Sequence, residues 1–226
     1  MHRAKIKEYF VSVQGEGPYV GYRQLFIRFC GCNLNCAYCD TDFSVSGDYF
    51  ELSPIELFNL LNEEKMFRNI HSVSLTGGEP LMHVDFLKDF LPLLGGKIPV
   101  YLETNATLPE KLKEILEFVY IISADIKSPS SSGQNLFDVH EKFFEVCRDK
   151  NVFIKFVFDN NVTDLELKKV CEIAKKFNFE LILSPVMKNN KPLVDALFMQ
   201  KVLESAVSFY SKTRLIPQVH KLLDIE

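Results

Sequence analysis

The cysteines carry the first chemical signal. There are six, Cys30, Cys32, Cys36, Cys39, Cys147 and Cys171, and four of them fall within ten residues. Disulfide frameworks rarely crowd cysteines in this way, and in a reducing compartment such a group more often holds a metal. Cys32-Asn33-Leu34-Asn35-Cys36-Ala37-Tyr38-Cys39 spells C-x3-C-x2-C, three thiols on one short loop. Soft thiolates select zinc or iron–sulfur clusters. Structural zinc takes four ligands, often as two separated pairs, and no second pair follows here. Cys30 is expected to end a strand and point into the sheet. Three ligands suit a four-iron cluster with one iron left open to a small molecule; the competing reading is a zinc- or cluster-bearing binding module with no catalysis. Cys147 and Cys171 sit singly in helical patterns and read as small buried hydrophobes.

The elements that must position this loop are legible as alternation. Apolar runs at 24–29, 72–75, 100–103, 119–122, 152–158 and 180–183 are rich in Val, Ile, Phe and Tyr, as strands should be. Amphipathic stretches at 54–62, 84–94, 109–118, 136–150, 163–177 and 192–210 read as helices between them. Ser53 before Pro54 is a good N-cap, and Thr163-Asp164-Leu165-Glu166 spells a capping box. Strand–helix alternation predicts an α/β fold, a parallel sheet with crossover helices. Six such strands suggest an open partial (β/α)6-type barrel, with 5–13 as an added edge strand and 128–133 as a loop. No repeat or linker divides the chain, so 1–226 reads as one domain.

In open parallel sheets ligands bind at the carboxyl ends of the strands. The cysteine loop follows the first core strand, and Thr76-Gly77-Gly78-Glu79-Pro80 follows the second. Glycines there allow a backbone to approach a ligand closely, and exposed carbonyls accept from an ammonium. Composition bounds the rest. A chain of 226 residues, 47 % hydrophobic and 25 % charged, is neither disordered nor a disulfide mini-protein. A net charge of −4 argues against broad nucleic-acid binding. No run of 18 apolar residues predicts a membrane span, and the first residues lack the apolar stretch of a signal peptide. A cytoplasmic protein is expected.

The cysteine triplet followed by Gly77-Gly78-Glu79-Pro80 resembles the radical S-adenosylmethionine (SAM) superfamily, whose Gly-Gly-Glu-Pro motif contacts the SAM amino group. Further features resemble the 7-carboxy-7-deazaguanine synthase family within it: 10–17 with Gln14-Gly15-Glu16-Gly17, Arg28 four residues before Cys32, Cys39-Asp40-Thr41, and Pro217-Gln218-Val219-His220-Lys221. The resemblance implies a lyase that contracts 6-carboxy-5,6,7,8-tetrahydropterin by radical chemistry to 7-carboxy-7-deazaguanine, releasing ammonia, on the way to queuosine and related deazapurines.

The residue roles it implies match the chemistry of their side chains. Cys32, Cys36 and Cys39 would hold a [4Fe-4S] cluster. Tyr38, Cys39, Asp40, Gly78, Glu103 and the segment Asp125-Ile126-Lys127 would contact SAM. In that segment the lysine matches a Ser-Pro-Lys motif of relatives and the first two residues do not. Arg28 is a suitable bidentate partner for the pterin carboxylate, and Glu16 and Gln14 for its ring edge. Main chain from Val13 to Gly15, the Thr76 hydroxyl and the terminal Glu226 would complete the substrate site. Thr41 would bind Mg²⁺. His220 reads as structural. A flavodoxin- or ferredoxin-type reductant and a homodimer are also implied. A glycyl-radical activase shares the cysteine and glycine motifs but has no need of Gln14, Glu16 or Arg28, which favour a small acid substrate.

Overall fold

A computed structural model of the chain describes residues 2–39 and 48–225. Asp40, Thr41 and Glu226 lie outside the described residues. The expected alternation is present. After an antiparallel strand β1 (Ala4–Val13) come β2 (Arg23–Phe29), a short β3 (Phe50–Leu52) and helix α1 (Pro54–Glu63). There follow β4 (Ser72–Gly77), α2 (Val84–Phe90), β5 (Val100–Thr104), α3 (Pro109–Ile115) and β6 (Ile121–Ile126). One helical turn, α4 (Pro129–Ser132), precedes α5 (Phe137–Cys147), β7 (Asn151–Phe158), α6 (Asp164–Phe177) and β8 (Glu180–Pro185). The chain closes with a small hairpin, β9 (Met187–Lys188) and β10 (Lys191–Pro192), then α7 (Ala196–Phe209), β11 (Thr213–Leu215) and α8 (Val219–Leu223).

Nine strands form one sheet in the order β11-β8-β7-β6-β5-β4-β2-β1-β3. From β2 to β8 every neighbour is parallel and next in line. With such an order, crossovers of one hand place every helix on the same face. Burial agrees. Leu57 of α1, Phe86 of α2, Leu112 of α3, Phe143 of α5, Leu167 of α6 and Val202 of α7 share one core with Leu25, Leu75, Leu102, Ile122, Ile154 and Leu183 of the strands. The alternate strand positions face the other way. There Tyr101, Ile121, Phe153 and Ile182 pack together as an apolar floor, and residues further along the strands are polar.

Several elements depart from expectation for physical reasons. The fourth core strand runs 121–126 rather than 119–122, because the polar Asp125 is paired within the sheet against Lys155. Residues 128–133 contain the helical turn α4. Helix α7 starts at Ala196, after Asp195 accepts from the Phe198 N–H; residues 191–192 belong to the hairpin. β11 adds a seventh parallel strand. The capping box at Thr163 is formed.

A bulge in β1 is the least expected feature. Ile6 pairs with Phe29 and Glu8 with Arg28, leaving Lys7 extra. Side chains alternate with period two, so one inserted residue flips the rest of the strand. Ile6 faces the core, fully buried, whereas Glu8 and Phe10 turn to the opposite face, beside Arg28 and Phe26.

Candidate active site

A cavity of about 610 Å³ opens over the sheet face opposite the crossover helices. The cysteine loop forms one wall. Cys32 and Cys36 are half-buried and Cys39 exposed, none of the three is in a disulfide, and all three line the cavity. The strand end before them is anchored by the Cys30 N–H on Lys5 O (2.9 Å) and by His83 Nε2–H on Cys30 O (2.8 Å). The loop itself is held by the Ala37 N–H on Ser131 O (2.9 Å) and by Asn105, whose Nδ2 donates to Asn33 Oδ1 (2.9 Å) and toward Cys32 Sγ (3.7 Å). Burial pushes the Cys32 and Cys36 thiols up from their ordinary value. Among the described residues no three His, Cys, Asp or Glu side chains close round a single ion. The donor set, three soft thiols on one loop lining one cavity, fits an iron–sulfur cluster with an open iron. Cys30, Cys147 and Cys171 are buried, the last two within the main core.

The second wall is backbone. Gly77 has φ +109°, which a side chain rarely adopts. A Cβ on Gly78 would overlap the Gly31 carbonyl of the cysteine loop. Gly78 N–H donates to Phe29 O and Glu79 N–H to Gly31 O, each at 2.9 Å. The loops after β2 and β4 are therefore stitched together at a distance only glycine permits. Glu79 is fully buried and binds the next loop, accepting from Leu81 N–H (3.0 Å), Thr104 Oγ1–H (2.9 Å) and Asn105 N–H (2.8 Å). Burial pushes its carboxyl up to about 7, while these donors pull the other way. Thr76 Oγ1 donates to Glu103 Oε2 (2.8 Å).

Opposite the cysteines, Gln14 is buried and donates to Gln24 Oε1 and Glu103 Oε1, both at 2.9 Å. Its own carbonyl oxygen accepts from the Glu16 N–H (2.9 Å). Glu16 meets Lys155 Nζ at Oε2 (2.5 Å) and Gln218 Nε2 at Oε1 (2.5 Å). Burial alone would raise the Glu16 carboxyl, yet Lys155 and Gln218 hold it down at about 2. Arg28 lies over the Phe10 ring, 5.2 Å from its centroid. Its Nε faces Glu8 Oε1 at 3.3 Å but is buried without a hydrogen bond. The bulge in β1 thus builds an arginine cradle with a donor to spare. Gly15 is covered by His220, and the Val219 N–H binds Gly15 O (2.8 Å), which brings α8 to the rim.

A charged chain joins the two sides. Lys127 Nζ meets Asp125 Oδ2 (2.8 Å) and donates to Tyr38 OH (3.1 Å), and Lys155 Nζ meets the same Asp125 oxygen at 3.3 Å. Asp125 Oδ1 is buried without a partner. That orphan acceptor, with the glycine cradle, fits a ligand such as SAM that carries an ammonium and hydroxyls. Behind Lys127, fully buried His140 accepts from the Lys127 N–H at Nε2 (3.1 Å), so its proton sits on Nδ1, facing Ala106 O (3.1 Å). Burial lowers its pKa to about 4.

Of the residues expected from sequence, Val13, Gln14, Gly15, Glu16, Arg28, Cys32, Cys36, Tyr38, Cys39, Thr76, Gly78, Glu103, Asp125 and Lys127 all line this cavity. Ile126 does not; its side chain packs into the main core and only its backbone is near. Asp40, Thr41 and Glu226 are outside the described residues. Sequence reasoning missed Lys155 and His140, and took His220 for structural although it reaches the cavity. Lys155 had a signal: a lysine within Val152-Phe153-Ile154-Lys155-Phe156-Val157-Phe158 cannot be buried without an acid beside it.

The sequence model of the Radical SAM superfamily matches residues 26–191. The chain is 37 % identical over 245 residues to 7-carboxy-7-deazaguanine synthase of Geobacter sulfurreducens, covering 97 % of each chain. It is also 37 % identical over 237 residues to the protein of that name from Archaeoglobus fulgidus, covering 99 % of each. In structure it is similar to crystalline QueE from Escherichia coli, with a TM-score of 0.66 over 96 % of this chain and 95 % of that one, at 19 % identity.

Proposed function

The chain belongs to the radical SAM superfamily and, within it, to the 7-carboxy-7-deazaguanine synthases, and on that footing we propose how its cavity performs the reaction. The reaction is the ring contraction of 6-carboxy-5,6,7,8-tetrahydropterin to 7-carboxy-7-deazaguanine with loss of ammonia, a lyase step of queuosine and deazapurine biosynthesis. The observation that carries the reading is that Gln14, Glu16 and Arg28 face the three cysteines across one cavity.

A [4Fe-4S] cluster and SAM, when bound, supply the one-electron chemistry of the reaction. Cys32, Cys36 and Cys39 would hold the cluster; Gly78, Glu103, Tyr38, Asp125 and Lys127 would hold SAM. The chain's own work is placement. Arg28, on the cavity wall, binds the substrate carboxylate through its guanidinium. Glu16, ionised under Lys155, accepts from ring N–H groups; each of its oxygens keeps a lone pair beyond those used by Lys155 and Gln218. Gln14 presents the adjoining main chain, and Thr76 is oriented by Glu103. The floor of Tyr101, Ile121, Phe153 and Ile182 keeps water from below. Each of these roles matches the side chain's chemistry and its position on the cavity wall.

The finer reading includes Mg²⁺ held by Thr41 and substrate oxygens, supported by the Cys39-Asp40-Thr41 segment. It also includes Glu226 at the substrate, a single domain over 1–226, a homodimer, a flavodoxin- or ferredoxin-type reductant and a cytoplasmic location. Among the described residues no helix is long and apolar enough to cross a membrane. An activase acting on a protein partner is disfavoured, since relatives matching nearly the whole chain carry the synthase name.

The test is an anaerobic assay of the reconstituted protein with dithionite, SAM, Mg²⁺ and 6-carboxytetrahydropterin, read by mass spectrometry. Formation of 7-carboxy-7-deazaguanine without matching loss of SAM is expected. Cleavage of SAM with the pterin untouched would leave the superfamily standing and refute the substrate.

A further inference from the structure

We propose that Lys155, on β7, is the positioning residue of the pterin side of the cavity: it holds Glu16 aimed at the substrate while leaving SAM binding to Asp125 and Lys127. The inference rests on the substrate reading given above. Three observations carry it. Lys155 lies inside β7 with apolar residues on both sides, Val152 to Ile154 and Phe156 to Phe158, and is 13 % exposed at its side chain. It touches two carboxylates, Glu16 at 2.5 Å and Asp125 at 3.3 Å. The two differ in what else they have. Asp125 keeps Lys127 at 2.8 Å on the same oxygen. Glu16 keeps a neutral amide, Gln218, and no second lysine or arginine at ion-pair distance among the described residues. Removing the Lys155 ammonium therefore strips the charge partner from Glu16 and spares Asp125.

A buried carboxylate that loses its cation tends to take up a proton, and a protonated Glu16 offers ring N–H groups one acceptor fewer. Lys155 acts through Glu16, so it belongs to positioning and not to the reacting atoms. The charged and titratable groups around the pair are Asp125 from β6, Lys127 just after it, Glu103 and Tyr101 from β5 and His220 from α8. None of these replaces the missing cation at neutral pH, because Lys127 is held by Asp125 and burial lowers the His220 imidazole.

The experiment compares wild type, Lys155→Met, Glu16→Gln and the double variant as cluster-loaded holoenzymes. It measures KM and kcat for 6-carboxytetrahydropterin and calorimetric binding of SAM. Lys155→Met is expected to raise the pterin KM about 30-fold, the low end for truncating one member of a buried hydrogen-bonded charge pair. The kcat and the SAM affinity should change by less than about threefold, well below that loss. In Lys155→Met the KM should also improve as pH rises from 6 to 9, as Glu16 ionises again, a trend wild type lacks. In the Glu16→Gln background Lys155→Met should add less than about threefold to KM. The double variant carries neither charge of the pair and keeps the question open to measurement even if Lys155→Met alone does not fold. An unchanged pterin KM, an equal penalty in both backgrounds, or a matching loss of SAM affinity would overturn the proposal. A wild type that turns over the pterin beside an unaffected Lys155→Met refutes this inference alone; a wild type that ignores the pterin refutes the substrate reading and this with it.

Discussion

Replacing Gly78 by alanine adds one methyl group at the point where two loops touch. The new Cβ would overlap the carbonyl oxygen of Gly31 and stand 2.5 Å from its carbon. Ordinary carbon–oxygen contacts need about 3.3 Å, so the loops after β2 and β4 must part by roughly 1 Å or more. Neither atom is the free end of a side chain, and nothing nearby is soft enough to absorb the shift. Two hydrogen bonds cross this seam, Gly78 N–H to Phe29 O and Glu79 N–H to Gly31 O. Losing both costs about 1–3 kcal/mol, and overpacking adds about 1–3 kcal/mol. A total of about 2–6 kcal/mol is a large share of the stability of a typical domain, and for a chain of this length the middle of that range corresponds to a fall in Tm of roughly 10 °C. The same movement displaces Cys32 from the glycine backbone that would meet SAM. The assay is a thermal melt of the apoprotein, iron per chain after reconstitution, and SAM binding. The expected result is a lower Tm and SAM affinity weakened at least tenfold, about 1.4 kcal/mol. A variant with wild-type Tm, iron content and SAM affinity would refute the claim that glycine is needed for close approach.

Three further outcomes follow from the same geometry. Arg28→Gln keeps a donor but loses the planar fork and charge; the pterin KM should rise at least tenfold while SAM affinity holds, and steady-state kinetics with calorimetry read both. Cys36→Ala should abolish bound iron, whereas Cys147→Ala and Cys171→Ala, buried in α5 and α6, should keep full iron content and lose only packing. The third concerns His140. Its folded pKa of about 4 lies below the ordinary 6.5, so the unfolded chain binds its proton first. The neutral ring then contributes stability above pH 6.5 that is lost as pH falls through 4, up to about 3 kcal/mol. Tm should drop on acidification across that window in wild type, and drop less in His140→Gln.

Strands and helices were legible where burial is one-sided and periodic. Val100 to Leu102 or Asp164 to Phe177 announce themselves by pattern and cap. The cysteine loop and Gly77-Gly78 were legible because few backbones need those residues in that order. What was hidden depends on partners distant in sequence. The second half of β6 lies beyond the expected 119–122 strand because Asp125 is polar, and Lys127 and Lys155 make it a strand residue. The β1 bulge leaves no mark in composition, yet it alone turns Glu8 and Phe10 toward Arg28. Lys155 stood out in its strand, but nothing in sequence said which carboxylates it would meet, since Glu16 is 139 residues away. His140 is a single histidine on the buried face of an amphipathic helix, and its role behind Lys127 exists only in the packed structure.

The central claim is that one cavity holds SAM beside the cysteine loop and a pterin beside Gln14, Glu16 and Arg28. The most direct measurement is the anaerobic crystal structure of the cluster-loaded protein with SAM and 6-carboxytetrahydropterin. The account predicts the SAM amino group at the Gly77–Gly78 backbone, the pterin carboxylate on Arg28 and the ring edge on Glu16 with Lys155 behind it. A pterin bound away from Arg28 and Glu16, or SAM bound away from the glycine backbone, would contradict it.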